Sequence, residues 1–406
     1  MKTDVIITGG GIVGSTLALA LAQAGFEVTM IDALPKATRR KKGFDGRSYA
    51  MALATTRMLR ALGLWEELAP NAQPINEIKV SDGRTGQAPS PFFMHFDHAE
   101  IGSDPMGYMI EDRHARVALL NAEKGEPQFT HLADAQVVAQ EVTPSGAHVI
   151  LSAGTKLSAN ILVGCDGRGS GTAERAGIKR VSWKYKQTSL VCALNVEKDH
   201  GGIAHQLFLP EGPLAILPLT NKRVGVVWTE ATSRAADIAQ LGDAEYLDIL
   251  RPRFGDFLGD ISLAGERFTY PLGLSLAHSF TADRVALVGD AAHGIHPIAG
   301  QGLNAGMRDV AALTEVLGDA RRLGEDIGSH GVLKRYQEWR RFDTATLALA
   351  TDSFNRLFSN DRPGLRALRD LGMGTVNAIP ALRRSFMREA AGLTGDLPRL
   401  LQSEQI

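Results

Sequence analysis

The stretch Val5-Ile6-Ile7-Thr8-Gly9-Gly10-Gly11-Ile12-Val13-Gly14-Ser15-Thr16-Leu17-Ala18-Leu19-Ala20-Leu21-Ala22 is a short apolar strand, a glycine loop and the start of a helix. A dinucleotide pyrophosphate needs that order. The first glycine allows the tight turn, the second lets backbone approach the phosphates, and the third lets the helix pack on the strand. The helix N-terminus adds unpaired N–H groups and a partial positive charge. Beyond the helix, Ala24-Gly25 turns the chain into a second apolar strand, Glu27-Val28-Thr29-Met30-Ile31, which ends in Asp32, 18 residues after Gly14. A carboxylate there accepts hydrogen bonds from the adenosine ribose. A glycine loop alone is only a turn; strand, helix, strand and acid in register point to a nucleotide site.

The 406 residues make two or three domain-sized units, at roughly 100–200 residues each. With 44% hydrophobic and 22% charged residues, the composition is that of a globular enzyme. A net charge of −1 provides no field that would draw nucleic acid, so no nucleic-acid partner is expected. Two cysteines, Cys165 and Cys192, exclude a disulfide framework and fit a reducing cytoplasm; both read as small buried hydrophobes. Asp4 and the glycine loop break the one stretch that could pass for a signal peptide. No apolar run is long enough to span a bilayer.

Along the chain, a helix is expected over 48–62, a strand over 75–81 and a helix over 111–122. A β-meander over 128–163 leads into Cys165-Asp166-Gly167. Antiparallel strands follow over 181–228, then a helix over 243–250 with Asp243 as N-cap. Arg284-Val285-Ala286-Leu287-Val288-Gly289-Asp290 is a buried strand ending in an acid. A helix starts near Gln301, and from Tyr336 on the chain is mostly helical, interrupted at Pro363, Gly372 and Pro380. The expected architecture is α/β. A Rossmann-like nucleotide-binding domain (1–74, 101–180 and 275–320) carries an inserted antiparallel β substrate domain (75–100 and 181–274), and a helical region (321–406) closes the chain. Three strand ends, at Gly9–Gly14, Asp166-Gly167 and Gly289-Asp290, serve an extended cofactor better than a small one.

The run Gly289-Asp290-Ala291-Ala292-His293-Gly294-Ile295-His296-Pro297-Ile298-Ala299-Gly300-Gln301-Gly302-Leu303-Asn304 resembles that of the class A flavoprotein monooxygenases. More narrowly, the chain is similar to the ubiquinone-biosynthesis hydroxylases, which act on polyprenylated phenols. Ala215-Ile216-Leu217-Pro218-Leu219, Val227-Trp228-Thr229, Tyr270-Pro271-Leu272, Leu357-Phe358-Ser359-Asn360-Asp361 and Met387-Arg388-Glu389-Ala390-Ala391-Gly392-Leu393 extend the resemblance over essentially the whole chain. It implies a Rossmann-type FAD domain with an inserted sheet and C-terminal helices. It implies FAD as cofactor, NAD(P)H as reductant and O2 as co-substrate. Gly9, Gly11, Ile12, Val13 and Gly14 would hold the pyrophosphate, Asp32 the ribose, and Asp290 the ribityl or pyrophosphate region. Pro297, Gly300, Gln301, Gly302, Leu303 and Asn304 would lie along the isoalloxazine, with Arg47 and Arg113 facing the flavin side of the cleft. Val137 and Asp166 complete the implied cofactor set. Arg47, His296 and Pro297 form the implied flavin environment, with no residue assigned to proton transfer. Two departures stand out. Asp112 replaces the more usual Asn in Glu111-Asp112-Arg113, and Ala173 occupies a position that is commonly Arg, with Arg175 nearby.

His293 and His296 beside Asp290 also fit a metal pattern. The glycine context and the resemblance favour flavin neighbours, and no metal is expected. The implied reaction adds oxygen at flavin C4a, and the resulting hydroperoxide is attacked by an electron-rich phenol ring. Exclusion of water then calls for an apolar pocket, with Leu190, Val191, Leu207, Leu217 and Val226 as lining or core. Over 356–388, seven arginines stand against Asp361 and Asp370. That segment reads either as a peripheral membrane contact, on the inner face of the membrane, or as a helical lid. Other quinone-biosynthesis proteins are candidate partners. Alternatives are a class A hydroxylase of a small soluble aromatic, and a non-catalytic flavoprotein of a quinone-biosynthesis complex.

Overall fold

The computed structural model describes residues 2–86, 93–295, 300–358 and 363–406. The chain begins β1 (Lys2–Thr8), α1 (Ile12–Gln23), β2 (Val28–Asp32), α2 (Lys36–Arg39), β3 (Ser48–Ala52), α3 (Leu53–Ala61), α4 (Trp65–Leu68), β4 (Ala72–Ile75), β5 (Glu77–Asp82), β6 (Phe93–Asp97), β7 (Gly107–Glu111) and α5 (Asp112–Ala122). It continues β8 (Phe129–Ala133), β9 (Val137–Thr143), β10 (Gly146–Leu151), β11 (Lys156–Gly164), α6 (Gly171–Arg175), β12 (Arg180–Val196), β13 (Ile203–Leu209), β14 (Gly212–Leu219) and β15 (Arg223–Ala231). Then come α7 (Thr232–Gln240), α8 (Asp243–Phe254), β16 (Ile261–Leu263), β17 (Phe268–Ala277), β18 (Thr281–Ala282), β19 (Val285–Leu287), β20 (His293–Gly294), α9 (Gln301–Arg322), α10 (His330–Phe358), α11 (Pro363–Ala378) and α12 (Pro380–Ala390).

Val5, Ile6 and Ile7 are wholly buried, as the apolar run requires of a strand covered on both faces. β1 lies between β2 and β11, parallel to both, with Val5 opposite Val28 on one side and Ile161 on the other. The sheet order is β18-β19-β11-β1-β2-β8, and β10 and β9 continue antiparallel from β11. The meander expected from the sequence thus feeds the central strand. A second sheet, β20-β17-β12-β15-β14-β13-β5-β6, carries β16 on β12 and is antiparallel except where β13 meets β5. Its core, with Cys192, Trp228, Tyr246 and Leu250, is closed by α7 and α8. The mixed α/β architecture with C-terminal helices is the expected one.

Four local expectations fail. Residues 48–62 are not one helix: Ser48–Ala52 pairs antiparallel with β7, Tyr49 opposite Ile110, and only Leu53–Ala61 is helical. Long-range pairing outweighs local helix propensity there. The strand expected over 75–81 is two strands, β4 in a small sheet with β3 and β7, and β5 in the large one. The cap of α8 is Gly242, whose N–H is bonded by the Glu245 carboxylate at 3.2 Å, while Asp243 is already helical. Gly372 lies inside α11 and does not interrupt it.

Candidate active site

The glycines of the first loop do different things. Gly9 has φ +101°, and a Cβ there would lie 2.3 Å from the Cys165 carbonyl oxygen. A Cβ on Gly14 would lie 1.9 Å from the Gly9 carbonyl oxygen, and one on Gly10 2.5 Å from Asp32 Oδ2. Those three positions are filled by protein. Gly11 has φ −67°, an angle any residue adopts, and nothing lies within 4 Å of its absent Cβ. Its backbone needs no glycine, so the open face beside it is what a side chain would obstruct. That face adjoins the N-terminus of α1, where the first-turn N–H groups have no intrahelical acceptor. Ile12 and Val13 begin the helix. Val13 packs under the later loop: a Cβ on Gly289 would be 3.2 Å from it, and one on Gly306 3.1 Å.

Asp32 is buried and its carboxylate is engaged. Arg39 donates through Nε at 2.5 Å and Nη2 at 2.9 Å, and the Leu34 N–H donates at 3.1 Å. Arg39 is thus paired with Asp32, and with Gly10, Gly11, Ser15 and Arg116 it lines a small cavity. The sequence offered only a basic run at 39–42, with nothing to single out its first member. Val137 is partly buried in the cluster around Ile31 and Val149, on the meander side.

At the second strand end, Asp166 is consumed by its own turn. It accepts from Ser170 Oγ at 2.5 Å, and from Thr172 N–H and Oγ1 at 2.9 Å. At the third, Gly289 has φ +64°, and half-exposed Asp290 pairs with Arg168 at 3.2 Å. Arg180 donates to the carbonyls of Asp290 and Ala291. Arg175 sits over Gly171 instead, and Ala173 is buried. The cations beside Asp290 are thus Arg168 and Arg180.

Behind this turn lies a network that sequence reasoning missed. Asp309 is fully buried and accepts from Gly289 N–H at 2.9 Å, His293 Nε2 at 2.5 Å and Arg340 Nε at 2.8 Å. Burial raises its pKa, but the charges of His293 and Arg340 and the hydrogen bonds from His293 and Gly289 prevail and hold it below the ordinary value. The signal was an acid, next to Arg308, in the otherwise apolar or small-residue stretch Ala305–Leu313. His293 is therefore a buried partner of Asp309. Among the described residues, no group of three His, Cys, Asp or Glu side chains is placed to hold a metal.

The start of α9 is clamped. Gly300 has φ +65°, and a Cβ there would lie 2.9 Å from that of Ala50. Asn304 accepts from Ala52 N–H and Thr55 Oγ1, and donates to the carbonyls of Ala50 and Gly300, all between 2.8 and 3.0 Å. Its side chain is spent on protein. What the first turn offers a ligand is the backbone of Gln301, Gly302 and Leu303. His296 and Pro297 lie outside the described residues.

Arg47 pairs with Asp45 at 2.7 Å and Asp112 at 3.1 Å. Asp112 also accepts from Tyr49 Oη at 2.7 Å and Arg116 Nε at 2.6 Å, so an acid at this position is fully used. Arg113 is held by Glu111 at 2.7 Å over the Phe44 ring, with Arg223 on the same acid and ring. It fixes the 42–44 loop, whereas Arg47 remains half-exposed.

Leu190 and Val226 are core under α7 and α8, Leu207 packs against that core, and Leu217 packs in another cluster. A substantial cavity, about 710 Å³, lies elsewhere. It extends from Gln301, Asn304, Ala305 and Arg308 on one face of α9, past Met94 and Phe96 of β6, to Leu347, Met373, Val376 and Phe386 of the tail helices. Because the tail closes it, strand patterning alone could not reveal it.

The described glycine turns and helix termini are those of an open α/β sheet with its ligand crevice at the strand ends. Residues 2–348 match the FAD binding domain family. The chain is 43% identical over 402 residues to the ubiquinone hydroxylase UbiL of Rhodospirillum rubrum, covering 98% of this chain and 92% of that one. It is 34% identical to the 3-demethoxyubiquinol 3-hydroxylase of Escherichia coli, covering 96% and 99%. Among solved structures, p-nitrophenol 4-monooxygenase PnpA of Pseudomonas putida shares the fold, with a TM-score of 0.80, 20% identity and coverage of 97% and 99%. The chain is thus an FAD-dependent class A flavoprotein monooxygenase. Within that class it belongs to the ubiquinone-biosynthesis hydroxylase family.

Proposed function

We propose that this enzyme hydroxylates the aromatic ring of a polyprenylated phenol in ubiquinone biosynthesis, with NAD(P)H as reductant and O2 as co-substrate. The observation that carries this reading is the 710 Å³ cavity. It is lined mainly by apolar side chains and begins at the first turn of α9, where it meets Gln301 and Asn304. Its size is that of a binding cavity for a small molecule, and a prenyl chain suits its lining.

FAD, when bound, supplies the activation of dioxygen with electrons from the nicotinamide. The residues present suit it. The open face at Gly11 and the α1 N-terminus would hold the pyrophosphate, with Gly9 and Gly14 shaping the loop. Asp32 and Arg39 would flank the ribose, and Asp290 and the 300–303 backbone would follow along the cofactor. Asn304 and the Asp309 network keep those backbones in place. Arg47 stands at the cleft as a cation, and the cavity walls exclude water from the reacting ring. We assign 1–74, 101–180 and 275–320 to the FAD-binding part, 75–100 and 181–274 to the substrate part, and 321–406 to the tail. Membership of the two large sheets supports that division, except that β20, within 275–320, pairs with β17 of the second sheet.

Among the described residues no helix is long and apolar enough to cross a membrane. We place the enzyme in the cytoplasm at the inner face of the membrane, in contact through 356–388 and near other quinone-biosynthesis proteins. Deletion of the gene in its host, followed by mass spectrometry of quinone precursors, tests the reading. The expected outcome is accumulation of an intermediate lacking one hydroxyl; an unchanged quinone profile overturns the assignment.

A further inference from the structure

The charged side chains that line the 710 Å³ cavity are engaged with protein. Arg308 donates to the Gly392 carbonyl at 2.9 Å and faces Asp343 at 3.5 Å. Arg340 holds Asp309 and Asp343, Arg369 pairs with Asp82 at 2.8 Å, and Glu389 accepts from Thr394. Two carboxamides line the α9 end. That of Asn304 makes four hydrogen bonds to protein, whereas that of Gln301 makes none among the described residues. Two hydroxyls of α10 are also without a partner there. Thr344 Oγ1 is sealed within the packing, and Thr346 is exposed on the tail side. Gln301 opens α9 directly after the Gly300 turn. Arg308 follows seven residues on, roughly 10 Å along the helix axis. Ala305 lies between them on the same wall, and Met94, Phe96 and Leu347 add apolar surface. Among the described residues, the cavity thus keeps one unspent amide, at the end where the 300–303 backbone would meet the cofactor.

A carboxamide oxygen accepts from a hydroxyl, and its NH2 donates to a neighbouring oxygen. An apolar ligand without such a group would strip water from the amide and return nothing, which penalises it against one that has the group. We propose that the Gln301 carboxamide accepts the hydrogen bond of the substrate's ring hydroxyl. That contact orients the ring toward the 300–303 backbone and sends the apolar chain toward the tail helices. The class of ligand rests on the function proposed above; the amide's preference for a hydroxyl is measurable by binding alone.

The test uses the full-length, FAD-loaded protein without reductant and two probes, 2-geranylphenol and geranylbenzene, which differ by the hydroxyl. Binding is followed by the change in flavin absorbance. The parent should bind the phenol roughly tenfold tighter. Gln301→Met keeps length and helix propensity, loses the amide and breaks no hydrogen bond to protein, so it should melt as the parent does; Gln301→Leu serves the same comparison. The variant should bind the phenol roughly tenfold more weakly than the parent does and the two probes within about twofold of each other, with FAD affinity unchanged. Equal or absent binding of the probes by the parent overturns the proposal, as does a phenol preference that survives in both variants. A loss of FAD affinity in Gln301→Met assigns the amide to the cofactor and overturns it as well. Loss of the preference in Thr346→Val, with Gln301→Met unaffected, places the hydroxyl at the tail end instead. The expected binding without any effect of gene deletion on quinones removes the proposed function and leaves the orienting amide. The converse result removes the amide's role alone.

Discussion

Gly11→Ala separates a glycine kept for the fold from one kept for a ligand. The residue has φ −67° and ψ −179°, both ordinary for alanine, and no atom within 4 Å of the new methyl. Replacing a glycine at such a site stabilises the folded chain by about 0.4–1 kcal/mol, because the unfolded chain loses freedom. The apoprotein should therefore melt at the parent temperature or slightly above it. In the cofactor site proposed above, the methyl would occupy the space through which the pyrophosphate reaches the α1 N-terminus. Overpacking of that kind costs about 1–3 kcal/mol, or roughly 5- to 150-fold in Kd for FAD. Gly14→Ala is the contrast: its methyl would lie 1.9 Å from the Gly9 carbonyl oxygen, so the apoprotein itself should be destabilised. Flavin fluorescence titration gives Kd, and a thermal melt of the stripped protein gives stability. If Gly11→Ala binds FAD as tightly as the parent, the open face is not the phosphate site. If it lowers the melting temperature as Gly14→Ala does, the space was never free.

Asp309→Asn leaves Arg340 and His293 without their buried carboxylate and should cost about 3–5 kcal/mol by denaturant titration. An unchanged midpoint would refute the role of the network. Because the folded pKa of Asp309 is lowered, its contribution is complete above the unfolded value of about 4 and is lost as pH falls below it. The acid limb of the parent's stability curve should therefore be steeper than that of Asp309→Asn. Asn304→Ala orphans the Ala52 N–H and frees the start of α9, at about 1–3 kcal/mol, and FAD affinity should fall with it; a variant with parental stability contradicts the clamp. Burial pushes the Cys192 thiol up to about 11 and raises Cys165 as well. Cys192, buried, should not react with a thiol reagent near pH 8 until the chain unfolds, and rapid labelling of the native protein would place it outside the core; Cys165, expected to be buried, is only partly so.

Much of this protein is written locally. The loop at Gly9–Gly14, the acid at Asp32 and the Gly289–Asn304 run each depend on backbone conformations or on charge at a strand end, so neighbouring residues announce them. The parallel sheet follows from the same signals, because a strand buried on both faces must be apolar throughout, as Val5–Ile7 is. Other features have no local signature. Ser48–Ala52 is a strand only because β7, about sixty residues later, lies beside it. Asp32 meets Arg39, Gly289 meets Asp309, and Arg340 arrives from α10, because burial of charge forces partners together regardless of their distance along the chain. The cavity is a space between β6, α9 and the tail helices, bounded by residues from Ala52 to Leu401. A pattern of residues encodes surfaces that prefer burial; which surfaces meet, and what volume they leave between them, is settled when the whole chain packs.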